Sequence, residues 1–152
     1  FDKPYATDYV DTGTPVFPTI LGITNKYGAS IYYAHEVGND QVNSSGTTSI
    51  NAFIRSGDFD IEDGEIFMSM RRFMPDYKFL VGNSKVTLFI SDYPSDTQTG
   101  SPLGPFTITS TTDKVDTRAR GRLLSLKIEN DAAGETWRYG SFRMDAQPDG
   151  RR

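Results

Sequence analysis

The stretch VDTRARGRLLSLKIEND, residues 115–131, decides the fold class because its side chains alternate over a length that suits a β-strand. Successive side chains of a strand point to opposite faces. One face of a single long strand would then carry Arg118, Arg120, Arg122, Leu124, Leu126 and Ile128. The three arginines, called the arginine row below, would extend past the core that the three apolar residues enter.

Short runs with the same two-residue period fill much of the remaining chain. Predicted strands cover residues 20–24, 30–37, 50–54, 65–73, 85–91, 106–110 and 136–146. Pro75 is expected to end the run at 65–73, and no segment sustains the 3.6-residue period of a helix. We therefore predict an all-β fold without substantial helix, either an antiparallel β-sandwich or propeller-blade-like sheets.

The chain of 152 residues is expected to hold a single β-rich domain at 19–152. Residues 1–18 carry prolines at 4, 15 and 18 and predict an extended lead-in arm. Two polar stretches, 38–47 and 95–105, are predicted to be peripheral loops that contact partners. The predicted core face comprises Met68, Met70, Val86, Leu88, Ile90, Phe106, Ile108, Leu124, Leu126, Ile128, Phe142 and Met144.

Residue types that carry catalysis are scarce in this sequence. It has no cysteine and a single histidine, His35, and no serine lies in a nucleophile-elbow motif. The run 58–65 is rich in carboxylates, but its glycine falls at position seven and its flanks are β, unlike a helix-loop-helix calcium site. We therefore predict a protein that is not an enzyme and that needs no cofactor or metal. No apolar run is long enough for a transmembrane helix.

Three interpretations of the arginine row remain open. In the first, the arginines follow a phosphate backbone, although a net charge of −4 argues against a general nucleic-acid binder. In the second, the arginines are solvated at the exposed end of a strand. In the third, they pair with carboxylates within a sheet or across subunits, and Asp58, Asp60 and Glu62 repeat with the same two-residue period. We favour pairing because the planar guanidinium bonds carboxylates bidentately and is enriched at interfaces.

The segment DAAGETW, residues 131–137, resembles the Asp box of sialidase-like propellers, which is a folding element and not their catalytic site. Only one copy is present, and one extra residue separates its Asp from its Gly. A sialidase also needs a Tyr–Glu nucleophile pair, and nothing in the sequence ties any Tyr to a Glu. The resemblance to an Asp box nevertheless gives the alternative function, a carbohydrate-binding or sialidase-like β-propeller module for host-surface recognition.

Several segments resemble tail structural proteins of tailed bacteriophages. They are IRSGDFDI at 54–61, VDTRARGR at 115–122, WRYGSFRMD at 137–145 and PDGRR at 148–152. The resemblance is to the C-terminal part of nozzle or tail-tube proteins of short-tailed phages, including the packaged-DNA stabilisation type. It runs from about Tyr27 to the last residue, and it implies that more chain precedes Phe1.

The resemblance implies a structural virion protein, located in the phage tail, whose copies form a homo-oligomeric ring that lines or closes the DNA channel. It implies contacts with portal or adaptor proteins and with fibres, and no active site. Genomic DNA would pass transiently through the ring without sequence-specific binding. An acidic subunit suits such a channel because it repels phosphate and lets the duplex slide.

Overall fold

The structure is a computed structural model that describes residues 21–24, 31–34, 40–43, 46–94, 102–130 and 132–151. The chain divides into two units, Phe1–Gly38 and Asn39–Arg152. This boundary differs from the one predicted after residue 18. The lead-in arm predicted at 1–18 and His35 lie outside the described residues.

A β-hairpin is the described part of the first unit. Strand β1 (Leu21–Thr24) pairs antiparallel with β2 (Ile31–Ala34). The register runs from Leu21 opposite Ala34 to Thr24 opposite Ile31. This pairing confirms the two strands predicted on either side of residues 25–28.

The described part of the second unit contains nine strands. They are β3 (Asp40–Asn43), β4 (Gly46–Ser49), β5 (Ala52–Arg55), β6 (Met68–Val81), β7 (Ser84–Ser91), β8 (Leu103–Ile108), β9 (Val115–Gly121), β10 (Leu123–Asn130) and β11 (Thr136–Pro148). Strands β3 and β4 form a hairpin, and the others form antiparallel sheets of order β5-β10-β7-β8 and β11-β6-β9. The described ranges contain no helix, so the predicted all-β class is confirmed.

The two larger sheets face each other across one hydrophobic core. Of the two predicted architectures, the fold is therefore the antiparallel β-sandwich. Phe73 of β6 and Phe106 of β8 meet edge-on across this core, with ring centroids 5.6 Å apart. All twelve predicted core residues are either buried in the core cluster or packed against it. They line two facing sheets, however, and not one sheet face as predicted, because β6, β9 and β11 belong to the opposite layer.

The stretch 115–131 forms two strands, and the prediction of a single long strand was wrong. β9 ends at Gly121 in the three-stranded sheet, and β10 begins two residues later in the four-stranded sheet, with Arg122 between them. The odd position Ala119 is buried in β9, whereas the even position Leu124 is buried in β10. The change of sheet therefore reverses which positions face inward, so the arginines of β9 do not enter the core.

Close packing at Gly121 explains where this crossover occurs. A Cβ built there would collide with Ile90 Cγ2 of β7 and would lie 3.2 Å from the carbonyl oxygen of Ser91. Arg122 N donates a hydrogen bond of 3.2 Å to the same oxygen. Glycine permits this approach because it has no Cβ, and a glycine within a strand pattern often marks such a bend.

β6 runs through Pro75, where the sequence predicted its end. Pro75 pairs with Phe142 of β11, next to an irregularity in the register between Tyr139 and Phe142. In the described strands, β9 pairs with β6 only as far as Phe73. Beyond that point β6 has one unpaired edge, where a residue without an N–H group does not interrupt a ladder.

The polar stretch 38–47 was predicted to be a loop, but it contains β3 and the start of β4. Gly46 adopts a φ of 124° at the start of β4, a value that glycine tolerates. Three of the four positions of β4 are exposed, so this hairpin lacks the apolar alternation that identifies a strand in sequence. The second predicted loop, 95–105, lies outside the described residues from 95 to 101, and its last residues belong to β8.

Candidate interaction surface

The candidate surface lies at one end of the three-stranded sheet, where residues 149–151 follow β11. Phe67 N donates to Gly150 O at 2.8 Å, and Asp149 N donates to Phe67 O at 2.7 Å. These bonds continue the ladder beyond the pairing of Pro148 with Met68. The last described residues are thereby held beside the start of β6, which places a carboxylate near the arginine row.

Arg120 makes the salt bridge of this cluster. Its Nε donates to Asp149 Oδ2 at 2.6 Å, and its Nη2 donates to Asp149 O at 3.3 Å. Its guanidinium carbon also lies 4.2 Å from the ring centroid of Phe67, within the range of a cation–π interaction. Both charged side chains are about half exposed, at 49% and 48%. Solvent screening therefore limits the stabilisation from the ion pair to about 0–1 kcal/mol.

Arg122 lies at the crossover between the two sheets, where it contacts two aromatic rings. Its guanidinium carbon lies 4.9 Å from the ring centroid of Phe67 and 5.3 Å from that of Tyr93. Its Nη2 donates to Arg151 O at 3.4 Å. Its Nε is buried without a hydrogen-bond partner in the described structure. Phe67 thus contacts two guanidinium groups, and Arg122 is engaged by the aromatic rings and the chain end.

Arg118 differs from the other two members of the row. It is exposed and forms no salt bridge within the described part of the chain. With Arg71 and Asp116 it lines an open groove of about 710 Å³. The groove lies where the register of β6 and β9 shifts between Met70 and Arg72. Arg72 Nε is 3.2 Å from Asp116 Oδ1, an ion pair without hydrogen-bond alignment.

The predicted row of carboxylates is not a strand face. Phe59 makes an isolated antiparallel bridge with Leu124, but Glu62 has a φ of 62° and lies in a turn, so the two-residue alternation stops. Asp58, Asp60 and Glu62 are exposed and form no salt bridge with any described residue. Among the described residues, the carboxylate that pairs with the arginine row is that of Asp149, which follows β11.

Trp137, in the segment that resembles an Asp box, is half-buried against the core. Its indole Nε1 donates to Asn130 Oδ1 at 3.0 Å. The preceding turn is held by the Asp40 carboxylate, which accepts hydrogen bonds of 2.8 and 3.0 Å from Gly134 N. Asp131 lies outside the described residues. The tryptophan is therefore held by packing against the core and by its hydrogen bond to Asn130.

A pair of tyrosines between β6 and β11 was not predicted from the sequence. The rings of Tyr77 and Tyr139 meet edge-on at 5.2 Å. The Tyr77 hydroxyl shares a hydrogen bond of 2.8 Å with Ser84 Oγ, whereas the Tyr139 hydroxyl is buried without a partner in the described structure. Burial raises the pKa of both phenols, and for Tyr139 the nearby Tyr77 and Asp76 raise the pKa further.

Among the described residues, no three His, Cys, Asp or Glu side chains are grouped so that they would hold a metal ion. No helix in those residues has the length and apolarity needed to cross a membrane. No protein-family model matches the chain, and no curated protein matches it.

Proposed function

We propose that this chain is a structural subunit of a bacteriophage tail, in which copies associate into a nozzle or tail-tube ring around the DNA channel. The observation that carries the proposal is the separation of charge on the second unit. Exposed carboxylates at 58–65 and the exposed Arg71 and Arg118 have no ion-pair partners within the described part of the chain. Unpaired charges of opposite sign favour association between copies.

Two further observations support a structural role in the virion. The segments that resemble phage tail proteins, 54–61 and 115–122, include three of these charged residues, Asp58, Asp60 and Arg118. Between described residues, the contacts around the arginine row include a backbone ladder, cation–π contacts and a salt bridge, which hold the chain together. The net charge of −4 favours passage of DNA through a ring over its retention.

The test is to locate the chain in purified particles of the phage that encodes it. Mass spectrometry of washed particles should detect the chain, and gold-labelled antibodies against it should mark the tail. Cryo-electron microscopy of the same particles should show the sandwich repeated around the tail axis. The proposal fails if purified particles lack the chain. Glycan-array binding by the isolated chain, together with its absence from the tail channel, would favour the carbohydrate-binding alternative.

A further inference from the structure

We propose that copies of this chain associate head to tail, with the acidic segment of one copy, residues 58–65, bound in the groove lined by Arg71 and Arg118 on the next. The groove is called the arginine groove below. This inference rests on the association of copies in the proposed function, and it names the two surfaces that meet. It is carried by charge complementarity, by the rigidity of the acidic segment and by the places of the two surfaces in the sandwich.

The acidic segment is a preformed anionic surface. Its five carboxylates belong to exposed residues that form no salt bridge with any described residue. Phe59 and Leu124 exchange two backbone hydrogen bonds of 2.9 Å, and both Phe59 and Ile61 pack against the core. The backbone is therefore fixed at these positions, so binding would cost little conformational entropy in the segment.

The arginine groove carries net positive charge. Arg71 and Arg118 are exposed and unpaired among the described residues. The acid in the groove, Asp116, is already matched by Arg72. A guanidinium group binds a carboxylate through two parallel hydrogen bonds, which suits the side chains of the acidic segment. The groove therefore has two cationic groups available for a partner.

The two surfaces are separate parts of the second unit. The acidic segment follows β5 along β10, and Phe59 contacts Phe142 of β11 with ring centroids 6.4 Å apart. The arginine groove lies along β9, which meets the other side of the four-stranded sheet, because Gly121 packs on Ile90 of β7. No salt bridge joins the two surfaces within one copy in the described structure. Their contact is heterologous, and it closes into a ring or extends as a filament.

A second copy suits the groove better than a nucleic acid does. Two free arginines beside an acidic residue are a short patch, whereas binding to a phosphate backbone uses a longer row of cations. The whole chain is acidic at −4, so its net charge would oppose the approach of DNA. DNA binding is therefore tested as the competing outcome.

The experiment uses two charge-reversed forms of the full chain. The base variant carries Arg71→Glu with Arg118→Glu, and the acid variant carries Asp58→Lys, Asp60→Lys and Glu62→Lys, which make the segment net positive. Sedimentation over a concentration series should show that the wild-type chain associates and that each variant alone associates at least about tenfold more weakly. An equimolar mixture should recover association, because the reversed segment of one variant fits the reversed groove of the other.

A matched control carries Lys78→Glu with Arg138→Glu, two exposed positions outside both surfaces that give the same change in net charge as the base variant. It should associate like the wild type. Raising the salt concentration from about 0.1 M to about 1 M shortens the Debye length from about 10 Å to about 3 Å, and should weaken wild-type association. Thermal unfolding of each variant checks its fold. If the base variant does not fold, the inference is tested by the association of the single Arg118→Glu variant, measured over the same salt series.

The inference is overturned by a wild-type chain that stays monomeric, by reversals that leave association unchanged, or by a mixture that does not recover. It is also overturned if the wild type binds duplex DNA, measured by fluorescence anisotropy, and the base variant loses this binding with no recovery from the acid variant. If the wild type associates but the reversals have no effect, this inference fails alone. The proposed function is decided separately, by the presence of the chain in particles.

Discussion

Arg120 Nε lies 2.6 Å from Asp149 Oδ2, which joins the outer face of β9 to the residue that follows β11. The same carboxyl group belongs to a residue whose backbone N–H is bonded to Phe67. One ion pair, one aromatic ring and one short ladder therefore secure the end of the described chain. Arg120 and Arg122 therefore hold the chain together, whereas Arg118 forms no salt bridge with any described residue.

The Arg120–Asp149 pair is expected to contribute little by itself. Asp149→Ala should lower the free energy of unfolding by about 0–1 kcal/mol, because both side chains are half exposed. Arg120→Glu should cost more, since it places like charges together. Adding Asp149→Arg to that variant should restore part of the loss in urea denaturation. Adding Asp60→Arg instead should restore nothing, and a rescue by Asp60→Arg would contradict the pairing seen here.

The buried part of β10 is expected to dominate the stability of the fold. Leu126 is only 7% exposed, and Leu126→Ala should cost about 2–5 kcal/mol through lost burial and the cavity left behind. The matched control is Ile54→Ala on the neighbouring strand, where the side chain is 52% exposed. That change should stay within about 0.5 kcal/mol. Chemical denaturation of both variants measures the difference, and equal effects would refute the inward face assigned to β10.

The crossover at Gly121 should not tolerate a side chain. Gly121→Ala drives a methyl group into Ile90, so we expect a loss of about 1–3 kcal/mol from overpacking. Gly57→Ala is the control, because a Cβ at Gly57 meets no atom within 4 Å. It should be neutral or should stabilise by up to about 1 kcal/mol, since alanine restricts the unfolded chain. Thermal unfolding that ranks these two variants in the opposite order would argue against the crossover.

Tyr139 carries a buried hydroxyl that has no hydrogen-bond partner in the described structure. Tyr139→Phe removes this polar group while keeping the ring that contacts Tyr77. We therefore expect the variant to be more stable by about 1 kcal/mol in urea denaturation at neutral pH. Tyr77→Phe is the comparison, because it removes a hydroxyl that is bonded to Ser84, and it should destabilise.

Stability should fall at alkaline pH because of the same two tyrosines. Burial raises the pKa of Tyr77 and of Tyr139 above the ordinary value of 10.0. The folded state then holds these protons at a pH where the unfolded chain has released them. Their contribution is complete below about pH 10, and it is lost as the pH rises through the raised pKa values. Denaturation midpoints between pH 8 and pH 12 should show this decline, and Tyr139→Phe should make it shallower.

Alternation predicted the faces of individual strands but not their neighbours. Val86 and Leu88 are buried as predicted, because β7 keeps one register along its pairing with β10. Phe73 is fully buried and was not predicted, because an extra residue, Arg71, shifts the phase of β6 against β11 between Asp145 and Ala146. Such a bulge leaves no apolar signal in a sequence.

At the candidate surface, too, the sequence predicts which way side chains face but not which residues they contact. The outward face of Arg118 and Arg120 follows from local alternation once the chain is known to change sheets. Which carboxylate meets Arg120 depends on how β11 ends, and a distant pairing of that kind is not encoded by a two-residue period. The only local hint was the Asp149-Gly150 pair, a common turn signal that carries no information about its partner.

The central place of β10 has a consequence for synthesis on the ribosome. β10 lies between β5 and β7, and β11 completes the other layer. A nascent chain that has emerged only as far as Gly121 thus holds β5 and β7 without the strand that lies between them, and β6 without its partner β11. The four-stranded sheet is completed only when Asn130 is free of the exit tunnel, and the three-stranded sheet only when β11 is free of it. Until then the uncovered strands would be prone to aggregation, and their early protection by a chaperone would raise the yield of folded subunits.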